Sequence, residues 1–333
     1  MENSKSLQQQ FFDAVKTKLD PGNSLVAELA EVLALSTDSA YRRIRGETPL
    51  TIDEIATLSR NYNLSVDSIL TNSKSSIAFE YHAIGEEGLT LHMYLEGIYQ
   101  DLIRIASAED KEIVYFAKDL PLFHFFHYPE IARFKFFFWM RTVYQFPEYE
   151  KMPFGIGNLN PETAKLCQKI LNAYSRIPTL EVWSDETMNS TLTQIRYCWE
   201  SGIFSNKSDA ETLCDLLSGL VDHLESQAER GAKFIPGLEP TGGNDNYRLF
   251  FNEILLPDNT ILVRMGEAKI AYLPRNLLNF LVTSNHDFAS QMWEAIQKIV
   301  KKSQLVSVVA EKDRSRIFRK FHQRIDELKK SLT

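Results

Sequence analysis

The sequence predicts a mainly α protein in two parts. An N-terminal bundle of five short helices covers residues 1–73, and a larger, helix-dominated α+β domain covers residues 77–333, with the polar stretch 74–76 as linker. Three observations carry this. Apolar residues recur at spacings of three and four through residues 7–70, punctuated by capping residues, glycine and proline. Beyond residue 77, short runs rich in β-branched and aromatic residues alternate with long amphipathic stretches. A chain of 333 residues also exceeds what one small core organises.

Leu7 to Leu19 sets Phe11, Phe12, Val15 and Leu19 on one helical face, and Pro21-Gly22 stops the helix. Asn23 or Ser24 caps a second helix, because a short side-chain oxygen accepts the orphan amides of a first turn. Its apolar stripe is Leu25, Leu29, Val32 and Leu33, while Ala30 and Ala34 are small enough for a neighbouring helix to cross closely at the turn. Ser36 or Thr37 caps the third helix, with Ala40 and Ile44 inward and Thr37, Asp38, Tyr41, Arg42 and Arg45 outward. Gly46 ends it in the left-handed conformation that glycine adopts cheaply. Thr51-Ile-Asp-Glu reads as a capping box opening a fourth helix with Ile52, Ile55, Ala56 and Leu58 inward. Residues 65–70 form a short fifth helix burying Val66, Ile69 and Leu70.

Two short helices meeting at a tight turn, the second carrying clustered cations, have the geometry of a helix-turn-helix. LAEVLALS and TDSAYRRIRG as helices two and three, with NLSVDSIL as helix five, resemble the lambda-repressor-like (Xre-type) helix-turn-helix family over residues 7–72. The segment AYRRIRGETPLT also resembles the N-terminal helix-turn-helix domain called BetR. The resemblance implies sequence-specific binding of double-stranded DNA. It puts the base-reading positions on Thr37, Asp38, Tyr41 and Arg42 and the phosphate contacts on Arg43, Arg45 and Thr48. The chain departs from the family at Val26, where many members carry a polar residue, and at Ile44, where a glutamate is common. The chemistry agrees with these roles. An arginine fork bonds O6 and N7 of guanine together, worth about 1–3 kcal/mol of discrimination. Asp38, which phosphate repels, either accepts from cytosine N4 or orients Arg42. The bland alternative is that Arg42, Arg43 and Arg45 form a solvated helix face.

Charge limits the mode of binding. Residues 1–76 hold 8 Lys and Arg against 10 Asp and Glu, a balance of 8 − 10 = −2, and the whole chain carries −7. Non-specific coating of nucleic acid is excluded, because it needs a broad cationic surface. Geometry and dimerisation must supply affinity, so the expected state is a homodimer reading two half-sites. The three cysteines, Cys167, Cys198 and Cys214, lack any C-x-x-C pairing and read as reduced, buried thiols. No signal-peptide pattern and no long apolar run occurs, so no membrane partner and a cytoplasmic location are expected.

In the larger domain, Ile77, Phe79 and Tyr81 suggest a strand, residues 86–106 an amphipathic helix and residues 112–117 a strand. The aromatic stretch 122–146 is apolar around nearly the whole wheel and reads as one buried central helix. Helices follow at 162–176, 186–202 and 208–230, with a short strand at 180–183. The loop 236–246 holds Pro240 and Gly242-Gly243. It leads into an antiparallel meander of 247–256, 261–265 and 269–273. Helices at 275–283, 287–302 and 311–331 complete the chain. The last carries Ile317, Phe318, Phe321, Ile325 and Leu328 on one face amid Arg314, Arg316, Arg319, Lys320 and Arg324; it docks on its own domain, pairs across a dimer or lies along DNA, and the need to cover the apolar stripe favours the first two.

Catalytic signals are weak. His124 and His127 have an i, i+3 metal-ligand spacing but no evident third ligand, and histidines among phenylalanines are usually packed. The patterns GxxxxGK[ST], GxSxG and HExxH do not occur. Glu253, Arg264 and Lys269 either line a small-molecule pocket or form the solvent face of the sheet. No metal, cofactor or enzymatic activity is therefore expected. The expected function is a DNA-binding transcriptional regulator with an effector site for a small molecule or protein in its larger domain. The competing readings are a small-ligand sensor or enzyme that uses the helix-turn-helix as a docking module, and an interaction protein.

Overall fold

The computed structural model describes residues 5–19, 23–62, 64, 66, 69, 77–81, 90–238, 245–254, 257–276 and 278–332. The chain divides into two compact units, residues 1–79 and 80–333. Pro21-Gly22, the 74–76 stretch, most of the expected fifth helix, Pro240 and Gly242-Gly243 lie outside the described residues.

The smaller unit is helical: α1 (Leu7–Lys18), α2 (Leu25–Val32), α3 (Thr37–Ile44) and α4 (Ile52–Tyr62). Ser6 opens α1 with a full capping box shared with Gln9. The core is Phe11, Phe12, Val15, Leu25, Leu29, Ala40 and Leu58, with Val66 and Ile69 packed against it. Ala40 is wholly buried where α3 meets the core, and a larger side chain there would push the helices apart.

Two alanine and isoleucine expectations need correction. Ala34 is exposed and does not line a helix crossing. It sits at φ 51°, the left-handed residue that ends α2, with its amide donating to Glu31 O and that of Leu35 to Ala30 O. A residue with a Cβ held there costs roughly 1–2 kcal/mol. Ile52 is 85% exposed, because Ile55, Leu58 and Tyr62 define the inner face of α4 and Ile52 lies a quarter of a turn away from it.

The larger unit is built on β1 (Glu80–Tyr81), β2 (Lys111–Ala117), β3 (Thr179–Trp183), β4 (Tyr247–Phe251), β5 (Thr260–Met265), β6 (Ala268–Pro274), β7 (Phe280–Thr283) and β8 (Gln304–Leu305). They form one mixed sheet in the order β1-β7-β6-β5-β2-β3-β4-β8. The pairs β2–β3 and β3–β4 are parallel and the others antiparallel. Parallel neighbours require long crossovers. The first supplies α6 (Leu122–Phe125), α7 (Pro129–Phe138), α8 (Pro147–Glu150) and α9 (Pro161–Ser175), and the second α10 (Asn189–Glu200) and α11 (Lys207–Arg230). Before β2 comes α5 (Leu91–Ser107), and α12 (His286–Val300) and α13 (Glu311–Ser331) follow β7 and β8. Helices α5, α9, α11 and α13 contribute to the aromatic-rich core on one face. On the other, Ile296 and Val300 of α12 cover Val114, Phe116, Leu180 and Val182. Strand β3 is buried along its whole length, as central parallel strands are.

Three expectations fail here. The 247–251 strand does not join a meander: β2 and β3 separate it from β5. The 275–283 segment is a turn and strand β7 instead of a helix. Asn276 Oδ1 accepts from the amides of Leu278 and Asn279 and closes the hairpin with β6. The aromatic stretch is buried, but Pro129, whose ring bars the preceding residue from helical backbone, splits it at Tyr128, and a π turn spans Trp139–Val143. The final helix docks on its own domain, burying Ile317, Phe318, Phe321, Ile325 and Leu328. All three cysteines are buried and unpaired, and burial pushes each thiol up to about 12. Among the described residues no helix is long and apolar enough to cross a membrane.

The core holds a polar cluster centred on Glu181 of β3. Its carboxylate meets His124 Nε2 at 2.8 and 3.0 Å and accepts from Tyr174 at 2.6 Å, Trp183 Nε1 at 2.8 Å and Tyr247 at 3.1 Å. Burial would raise this carboxyl, but the His124 interactions and the hydrogen bond from Tyr174 outweigh it and hold it below the usual range. His124 is thus engaged by a carboxylate, while His127 packs on His223 with ring centroids 4.5 Å apart. His223 donates to Phe234 O at 2.9 Å, and burial pushes its imidazole down to about 4. Burial and the neighbouring imidazoles also hold His127 well below its ordinary value. Between pH 6.5 and 4 the unfolded chain therefore takes up protons that the folded chain refuses, and stability falls as pH falls. The melting temperature of the larger unit should decline across that window by circular dichroism. In His223→Gln the decline should be shallower.

Candidate nucleic-acid interface

The helix-turn-helix is assembled from local signals. Ser36 Oγ accepts the amide of Ser39 at 3.2 Å and caps α3. Positions i, i+1, i+4 and i+5 then share the outer face of the helix, bringing Thr37, Asp38, Tyr41 and Arg42 together. All four are exposed, Tyr41 by 49%, while Ala40 is buried and Ile44 half-buried on the opposite side.

At the end of α3, Gly46 adopts φ 79°. Its amide donates to Arg43 O at 3.0 Å, and that of Glu47 to Arg42 O at 2.9 Å. This closing turn needs a left-handed residue and folds the chain back over the helix end. Glu47 is thereby brought within 3.1 Å of Arg45 Nε and 3.9 Å of Arg42 Nε. All three side chains are about half exposed, so these contacts are worth little in water and yield readily to a stronger anion.

Arg43 behaves differently from its neighbours, contrary to the phosphate role expected for it. Its Nη2 lies 2.7 Å from Glu54 Oε1, with both side chains only 15% exposed, and Nη1 donates to Ser39 O at 3.3 Å. One residue along a helix rotates a side chain by about 100°, which carries Arg43 off the outer face that Arg42 occupies. Glu54 also completes the capping box of α4, accepting the Thr51 amide at 2.8 Å while Thr51 Oγ1 accepts the Glu54 amide at 3.2 Å. Burial would raise its carboxyl, but the hydrogen bonds from Arg43 and Thr51 hold it below 4.5. The pair thus locks α3 to α4. Of the expected phosphate contacts, Arg45 is exposed, and Thr48 is half-buried with its carbonyl already accepting a hydrogen bond.

The donor to that carbonyl is Gln8, a residue the sequence did not single out. Gln8 Nε2 donates to Arg43 O at 2.7 Å and Thr48 O at 2.9 Å, and its Oε1 accepts the Leu50 amide at 3.0 Å. One amide of α1 thus holds both ends of the loop between α3 and α4. A second tie runs from Tyr62 of α4, which donates to Glu28 of α2 at 2.9 Å. Because hydrogen bonds lost without replacement leave their partners unsatisfied, Gln8→Ala should lower the stability of the smaller unit by about 1–3 kcal/mol. Amide exchange in the full chain should accelerate in α3 and α4 and stay unchanged in β2 and β3.

The unit that carries this surface is also the part of the chain that a comparison with known families identifies. No curated protein and no solved structure matches the chain. The family match covers about a fifth of the 333 residues, from the last third of α1 through α2, α3 and α4 to β1: residues 15–81 match the BetR domain, a helix-turn-helix DNA-binding module.

Proposed function

We propose that this chain is a sequence-specific transcriptional regulator that sets α3 into the major groove of double-stranded DNA and binds as a homodimer. The observation that carries the reading is the outer face of α3, where Thr37, Asp38, Tyr41 and Arg42 stand together, exposed, on the second helix of a BetR-type helix-turn-helix. Arg42 is the group to fork onto guanine O6 and N7, and Asp38 the group to accept from cytosine N4 or to aim Arg42. Arg45 and the Thr48 hydroxyl take phosphate, with Glu47 giving way to it. Arg43 serves as the strut behind the helix. Homodimerisation follows from energetics: one module buries little surface and carries no net positive charge, so two half-sites about one helical turn apart are needed for useful affinity. The larger unit supplies the dimer contact and an effector site. The reading is of a binding protein without enzymatic activity, working in the cytoplasm. A small-ligand sensor in which the helix-turn-helix docks elsewhere is the second reading, favoured by a cavity in the larger unit.

Selection of bound duplexes from a random DNA pool by the full-length chain should recover a palindrome. Failure to enrich any sequence would overturn the regulator and leave the sensor. On the selected site, Arg42→Ala should lose about 1–3 kcal/mol of discrimination at one base pair of each half-site. Glu47→Gln should bind several-fold more tightly at low salt, since it removes an anion beside the phosphates and frees Arg42 and Arg45.

A further inference from the structure

We infer that the larger unit holds a binding site for a small, neutral ring compound bearing a hydrogen-bond acceptor. The site deepens the effector role proposed above, but it stands on the larger unit alone. A cavity of about 120 Å³ lies between α5 and the face of β2, β5 and β6, walled by apolar side chains such as Ile98 and Val263. A cavity of this order has room for a single aromatic ring.

The polar groups around the cavity define the ligand further. Tyr94 is engaged, its hydroxyl donating to Leu278 O at 2.5 Å, and Tyr272 donates to Asp101 at 3.3 Å. The Asp119 carboxylate is taken up by Lys135 at 3.1 Å and Thr191 at 3.3 Å. Two donors remain. Trp139 Nε1 is buried without a hydrogen-bond partner, and the hydroxyl of Tyr115, a residue only 5% exposed, makes no hydrogen bond to any described residue. Trp139 Nε1 is sealed within the wall, whereas Tyr115 lines the cavity, and its hydroxyl calls for a ligand with an acceptor such as a carbonyl oxygen. Burial raises the Tyr115 phenol well above its ordinary value, which keeps its proton in place for donation. An anion is disfavoured because the cations nearby are already paired, Lys135 with Asp119 and Arg104 with Asp101 at 2.8 Å, so its charge would be desolvated without compensation.

The test uses the full-length chain without DNA, so its failure leaves the DNA-binding reading untouched. Acetophenone, ethylbenzene and benzoate share one ring and similar bulk but differ in acceptor and charge. Ligand-observed NMR titration should show saturable binding of acetophenone at one site, with benzoate at least about tenfold weaker. Ile98→Trp, which fills the cavity, should abolish binding. Tyr115→Phe, which preserves shape, should weaken acetophenone about tenfold and leave ethylbenzene unchanged, the loss expected for one hydrogen bond to a buried donor. Absence of saturable binding by either neutral probe would overturn the site. So would undiminished binding in a folded Ile98→Trp variant, and an unchanged acetophenone affinity in Tyr115→Phe would overturn the acceptor requirement.

Discussion

The ion pair between Arg43 and Glu54 governs the outer surface of α3, because it decides which of the helix's arginines stay exposed. Both side chains are largely withdrawn from water, and removing either would leave the other as an uncompensated, partly buried charge, which is costly. Glu54 in turn caps α4. The pair therefore couples the angle between α3 and α4 to the start of α4 itself. With Arg43 committed inward, Arg42 and Arg45 are left outside, held only by the weak and exposed contacts to Glu47. Three similar residues in four positions have distinct physical roles.

The backbone of the module shows a related economy. Helices α2 and α3 both end on left-handed residues whose following amides close back onto the helix. At Gly46 this conformation is easy, whereas at Ala34 it carries strain that the surrounding core must hold. Gln8 then supplies from α1 the hydrogen bonds that the α3–α4 loop cannot make internally. The larger unit manages its buried polarity differently, gathering four donors on the single carboxylate of Glu181 and three acceptors around Lys233 Nζ. Networks that surround a buried charge with several partners favour one packing. The Tyr115 hydroxyl beside the cavity, by contrast, makes no hydrogen bond to any described residue.

Elements whose ends are marked locally were legible from residues alone. The Ser36 cap, the Thr51–Glu54 box and the Gly46 terminus each involve groups within a few positions, and the last helix, 311–331, is marked by a single long apolar stripe. The apolar residues of the strand at 280–283 fit either a helical or a strand period over so short a run, and the Asn276 turn that settles it depends on pairing with β6. Sequence proximity points strand β4 towards β5, whereas the helical crossovers set it against β3.

By itself, the sequence determined the helix-turn-helix and the outward set Thr37, Asp38, Tyr41 and Arg42, since helical periodicity and caps are properties of neighbouring residues. Tertiary structure alone decided that Arg43 faces inward, that Gln8 braces the loop, that His124 meets Glu181 and that a cavity adjoins Tyr115. Each of these joins residues far apart in the chain. Their partners become neighbours only when helices and strands pack, and no spacing along the sequence encodes that meeting.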